Sequence, residues 1–114
     1  MKKYLILYHA PAEAMLQMVD ATPEEQAKGM EDWISWFKKC GDKIVDAGTP
    51  LINGQKLSMN GELPNSDKDV TGYSVIQVEN MKEATELLKD NPHLSGWNAD
   101  CTIELHEVNP VPGI

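Results

Sequence analysis

The sequence predicts an α+β fold of the ferredoxin-like kind, βαββαβ, with a four-stranded antiparallel sheet and two helices on one face. Three observations carry this. Strand-like apolar segments open and close the chain, "KKYLILYH" and "CTIELHEV". Two segments carry the chemistry of a helix start, "TPEE" and "NMKE". Between them lie a short strand, a turn-rich stretch and the strand "GYSVIQV". Two split βαβ units in this order favour the spatial arrangement fourth, first, third, second strand.

In the first strand Tyr4, Ile6 and Tyr8 alternate with Leu5, Leu7 and His9. Both sets are fairly apolar, as expected of a central strand. The first helix begins with Thr22 as cap, Pro23 at the first helical position and Glu25 closing a capping box. The recurrence of Met30, Trp33, Ile34, Phe37, Ile44 and Val45 extends it to about Asp46, with Gly48 at a left-handed terminus. Gly41 inside that pattern points to a close approach to the sheet. "TPLINGQKL" reads as a short edge strand with Pro50 at its start. "SMNGELPNSDKDVT" has no apolar period and reads as a long loop, residues 58–71. Asn80 and Glu83 open a second, short helix through Leu87 and Leu88 that Pro92 stops.

At 114 residues the chain is expected to be a single domain, 1–114, large enough to bury a core without staples. Its formal charge is −8, and all ten basic residues are lysines. Without the planar arginine fork that grips phosphates and guanine edges, nucleic-acid binding is not expected. The acidic balance also disfavours anionic membranes. The opening apolar run is too short for a signal segment or a membrane span. Cys40 and Cys101 lack metal or redox spacing, which suggests two reduced thiols in a cytoplasm and no structural metal. Neither a dinucleotide loop nor a phosphate cradle is present, so no cofactor is expected. Small molecules and protein partners remain.

The topology brings His9, the loop 58–71, Tyr73 and His93 to one end of the sheet, where the long connections lie. Ile103 and Leu105, with Ile76 and Val78, are expected to face the helices. Thr102, Glu104, His106, Tyr73, Val75 and Gln77 then share the open face. With Leu5 and Leu7 turned inward, Tyr4, Ile6 and Tyr8 join that face, although so apolar a strand permits either choice. His93 and His106 are the candidates for proton transfer, since an imidazole titrates near neutrality. Tyr8, His9, Tyr73 and Gln77 are the candidates for holding a ligand. An alternative reading of His93 is a cap on the last carbonyls of the second helix, and of the tyrosines, packing between two sheets.

The segments "MKKYLILY", "WISWFKKCGDKIVDAGTPL", "GYSVIQVENMKEATELLKDNPHL" and "IELHEV" together resemble the YCII-related family, over nearly the whole chain. That resemblance implies a dimeric α/β barrel, a homodimer whose two sheets pack face to face around a cleft with polar groups, often a histidine and an acidic residue. Asn91 stands where relatives commonly carry the first histidine of His-Pro-His-Leu, and the "DGPF" signature of another branch is absent. The expected function is a cofactor-free lyase, isomerase or hydrolase acting on a small, aromatic or lactone-like molecule through histidine. The alternative is a non-catalytic module that binds a small ligand or a partner.

Overall fold

The computed structural model describes residues 1–14, 20–63 and 68–113. Parts of the connections 10–21 and 58–71 lie outside them. The elements are β1 (Lys2–Pro11), α1 (Pro23–Cys40), a 3-10 turn (Gly41–Lys43), β2 (Ile44–Asp46), β3 (Lys56–Ser58), β4 (Gly61–Leu63), β5 (Lys68–Val78), α2 (Met81–Leu88), a second 3-10 turn (Pro92–Leu94) and β6 (Thr102–Glu107). The main sheet has the order β2-β5-β1-β6, antiparallel throughout, and β3 with β4 forms a separate hairpin. This α+β arrangement is compatible with a ferredoxin-like fold into which a hairpin has been inserted.

Both helices begin as their residues dictate. Thr22 Oγ1 accepts from the Glu25 amide at 3.1 Å while Glu25 reaches back to the Thr22 amide, completing the capping box. Asn80 accepts from the Glu83 amide at 2.9 Å. α1 ends earlier than its apolar pattern suggests. Gly41, at φ +57°, turns the chain out of the helix, and Ile44 and Val45 fall on the edge strand β2. The space around Gly41 is open, so this glycine serves a backbone conformation and not a close approach.

The buried stripe of α1 is also rotated from the expected one. Trp36 and Cys40 are buried, Trp33 and Phe37 flank them, and Met30 and Ile34 are exposed. The indole of Trp36 donates to the Leu87 carbonyl at 3.1 Å, which ties α1 to the end of α2. Cys40, shut away from water, has its thiol pushed up to about 11.

The register of β1 corrects the expected one. Tyr4, Ile6, Tyr8 and Ala10 face the helices, and the first three pack with Ile76, Val78, Trp36, Ala84 and Leu88. Leu5, Leu7 and His9 therefore look out on the open face. The tyrosine parity wins because it is apolar from residue 4 to residue 10, whereas the other is bounded by Lys3 and His9.

A polar chain crosses the core beside Tyr8. Asn91 Nδ2 donates to the Tyr8 hydroxyl at 3.4 Å, which bonds Ser74 Oγ at 2.9 Å, and Ser74 donates to the Ala47 carbonyl at 2.7 Å. Beyond β2, Asp46 accepts from the Gly48 amide at 2.8 Å. Gly48 has φ +78°, and a Cβ there would lie 1.6 Å from the Tyr73 carbonyl oxygen.

Two stability measurements test these assignments by denaturant unfolding. Thr22→Ala is expected to lose about 1 kcal/mol through the missing cap. Gly48→Ala is expected to lose about 3 kcal/mol or more, since left-handed strain adds to a backbone clash; a loss below that of Thr22→Ala would mean that the turn lies elsewhere.

Candidate functional site

The open face of the sheet is ordered in rows set by strand pairing. Tyr73 on β5, Leu7 on β1 and Glu104 on β6 form one row, and Val75, Leu5 and His106 the next. His9 pairs with Thr102 on β6 and, past a bulge, with Val70 on β5. The middle is an apolar floor of Leu5, Leu7 and Val75. Tyr73 and Glu104 stand two strands apart, about 10 Å at the backbone.

The bulge lies between Tyr8 and His9, where Gly72 and then Val70 are the partners, so that Thr71 is the extra residue. Bulges increase local twist and re-aim the side chains beside them. Two contacts hold this one. Thr71 Oγ1 donates to the Tyr8 carbonyl at 3.3 Å. His93 Nε2 lies 2.8 Å from the His9 carbonyl oxygen, which can only accept, so this nitrogen carries the proton.

His9, Glu104 and His106 meet on this face. Glu104 Oε1 lies 2.6 Å from His106 Nε2, and Oε2 lies 2.9 Å from His9 Nε2. The contact with His106 is a hydrogen bond. That with His9 is a close contact without hydrogen-bond alignment, which leaves the buried Nε2 of His9 without a hydrogen-bond partner among the described residues. The hydrogen bond from His106 is the largest influence on the Glu104 carboxyl and, joined by the neighbouring His9, holds it below its usual range against desolvation, the next largest influence. An ionised carboxylate thus faces two imidazoles. Donation from His106 Nε2 leaves its Nδ1 as the basic nitrogen. Side-chain exposure is 18% for His9 and 56% for His106, so one is sheltered and the other accessible.

The remaining candidates are placed differently. His93 is 6% exposed, its ring 5.3 Å from Tyr8 and 6.2 Å from Trp97. Its amide donates to Asn91 Oδ1 at 2.9 Å, and its ring bonds β1 and not the carbonyls of α2. Burial is the largest influence on its pKa and lowers it, outweighing the backbone contacts with His9 and Thr102. Tyr8 lies in the core with its hydroxyl in the internal polar chain, and burial raises its pKa. Tyr73 is on the open face and donates to Asp46 Oδ2 at 3.3 Å; the charge of Asp46 raises its pKa. Gln77 Nε2 donates to the Asp42 carbonyl at 3.1 Å. The structure therefore gathers His9, His106 and Tyr73 on one face and sets His93 and Tyr8 behind it.

Glu104, which sequence reasoning placed beside His106 on the open face, was not counted among the site residues. Its position two residues before His106 on a strand was the available signal, since such residues share a face. Among the described residues no group of three or more His, Cys, Asp or Glu is placed to hold a metal ion. Around Glu104 the ring of His106 is directed at the carboxylate itself. No described helix is long and apolar enough to cross a membrane.

No protein-family model matches the chain, and no curated protein does.

The state of His93 gives a pH test. Its unfolded pKa is near 6.5 and its folded one is lower. Its contribution to stability is therefore full above about pH 6.5 and is lost as pH falls through the unfolded value toward the folded one. His93→Asn is expected to destabilise by about 1–3 kcal/mol at pH 8 through the lost buried hydrogen bond. The difference from wild type is expected to shrink toward pH 5 in urea titrations. A difference that grows on acidification would assign His93 to the helix end.

Proposed function

We propose that the protein is a YCII-related homodimer of the dimeric α/β-barrel type, a cytoplasmic, cofactor-independent enzyme that moves a proton on a small molecule. The reaction is of the lyase, isomerase or hydrolase kind. The observation that carries this reading is the carboxylate shared by His9 and His106 beside the apolar floor of Leu5, Leu7 and Val75. The sequence resemblance and the α+β fold support it.

The chemistry follows from the contacts. A carboxylate that accepts from one ring nitrogen fixes the tautomer and stabilises the imidazolium formed when the other nitrogen takes a proton. His106 is the base on this reading, Glu104 orients it, and the ring of His9 lies against the carboxylate's other oxygen. The floor of Leu5, Leu7 and Val75 suits a flat apolar ring, such as an aromatic or lactone-like substrate. Tyr73, held by Asp46, offers its edge to the opposite end of that ring. An open sheet face encloses a molecule only when a second layer covers it, which is the role of the facing sheet in a dimer.

A panel of small aromatic acids and lactones, screened by thermal shift, supplies a ligand for the test. Glu104→Gln keeps the side chain's shape and removes its charge. For a ligand that wild type converts, the variant is expected to lose about 100-fold or more in kcat while still showing the shift. Undiminished turnover would sink the proton-transfer reading, and binding without turnover by wild type would make the protein a ligand-binding module.

A further inference from the structure

We infer that the β3–β4 hairpin is an arm that seats on a second copy of the chain, at the rim of that copy's open sheet face. The inference rests on the homodimer reading above and adds to it the element that clasps the two copies.

The arm exposes large apolar side chains where water should favour polar ones. Leu57 and Met59 are 70% and 98% exposed, and Ile52, on the segment leading into it, is 75% exposed. The two three-residue strands form a sheet of their own, and every residue in them is exposed. A lone hairpin of this size is marginal in water and needs a surface to pack against. Among the described residues nothing covers it.

The dimensions point to a second copy as the occupant. The radius of gyration is 15.5 Å, with extents of 44 × 44 × 21 Å. A compact chain of this length has a radius of about 13 Å. The accessible surface is 8156 Å², against roughly 6,200 Å² for a compact monomer of the same mass. The excess, on the order of 1,900 Å², is within what each chain of an obligate homodimer buries. Every copy carries both the unsupported arm and the uncovered floor of Leu5, Leu7 and Val75. Two-fold pairing lets each surface meet its complement and closes without a third component. The arm leaves the main sheet where Leu51 N–H donates to the Thr71 carbonyl and Pro50 bridges Gly72. It therefore springs from the His9 end of the sheet, beside the candidate site.

Sedimentation velocity and a cross-link test this on the full chain. Wild type is expected to sediment at twice the chain mass at micromolar concentration. Leu57→Glu combined with Met59→Glu is expected to raise the dimer dissociation constant by about tenfold or more, with the far-ultraviolet spectrum unchanged because both positions are exposed. Met59→Cys carrying benzophenone is then irradiated in a mixture of nitrogen-14 and nitrogen-15 chains. The native cysteines are buried, so the label goes to position 59. Mixed-isotope adducts with peptides of β1 or β6 are expected. A monomeric wild type, a dimer indifferent to the arm substitutions, or adducts confined to one chain would each overturn the inference. A dimer indifferent to the arm leaves the proton-transfer reading standing, whereas undiminished turnover in Glu104→Gln removes that reading and leaves the arm.

Discussion

The side-chain alternation of β1 is the constraint on which the rest of the molecule depends. This strand is bonded on both edges, by β5 and by β6, so neither of its faces can shift without the whole sheet. Even-numbered residues from Tyr4 to Ala10 close the core against the helices, and the odd-numbered Leu5, Leu7 and His9 floor the opposite face. A one-residue slip would exchange the two sets completely. His9 would then be buried among aromatic rings and the Tyr8 hydroxyl would lose Ser74 and Asn91.

The bulge at Tyr8 and His9 connects this constraint to the chemistry. It lies where the strand passes from packing to function, and it is held from the opposite side by an imidazole that never reaches the open face. The three histidines therefore divide the work by environment. His93 is desolvated and acts as a neutral donor to backbone. His106 is open to solvent, and His9 is sheltered against the same carboxylate. Identical side chains acquire different roles because of what surrounds each nitrogen.

The sequence made parts of this plain and others opaque, for reasons that can be named. The helix starts were legible because capping is local: Thr22 with Glu25, and Asn80 with Glu83, need only their own backbone. The end of α1 was not, because Ile44 and Val45 continue the apolar rhythm after the chain has left the helix. A three-residue edge strand is too short to declare its own period. The open face was legible in β6, where polar and apolar residues alternate cleanly, and in β5 from the inward pair Ile76 and Val78. It was not in β1, where both parities are apolar and only Lys3 and His9 mark the outer one. The pairing of Glu104 with His106 could be read from their spacing, whereas their meeting with His9 depends on strand register and appears only in three dimensions.

The polar chain through Tyr8 has a consequence for how this protein can diverge. Because Asn91 donates to Tyr8 and Ser74 donates to Ala47, the hydroxyl protons have a single consistent direction. Removing the middle strands a donor on one side and an acceptor on the other, both away from water. Positions 8, 74 and 91, far apart in the chain, therefore form one heritable unit. A lineage that exchanges Tyr8 for phenylalanine must find new partners for the Asn91 amide and the Ser74 hydroxyl, while Asn91 is held in addition by the His93 amide and Ser74 by the Ala47 carbonyl, so variation at position 8 is coupled to both.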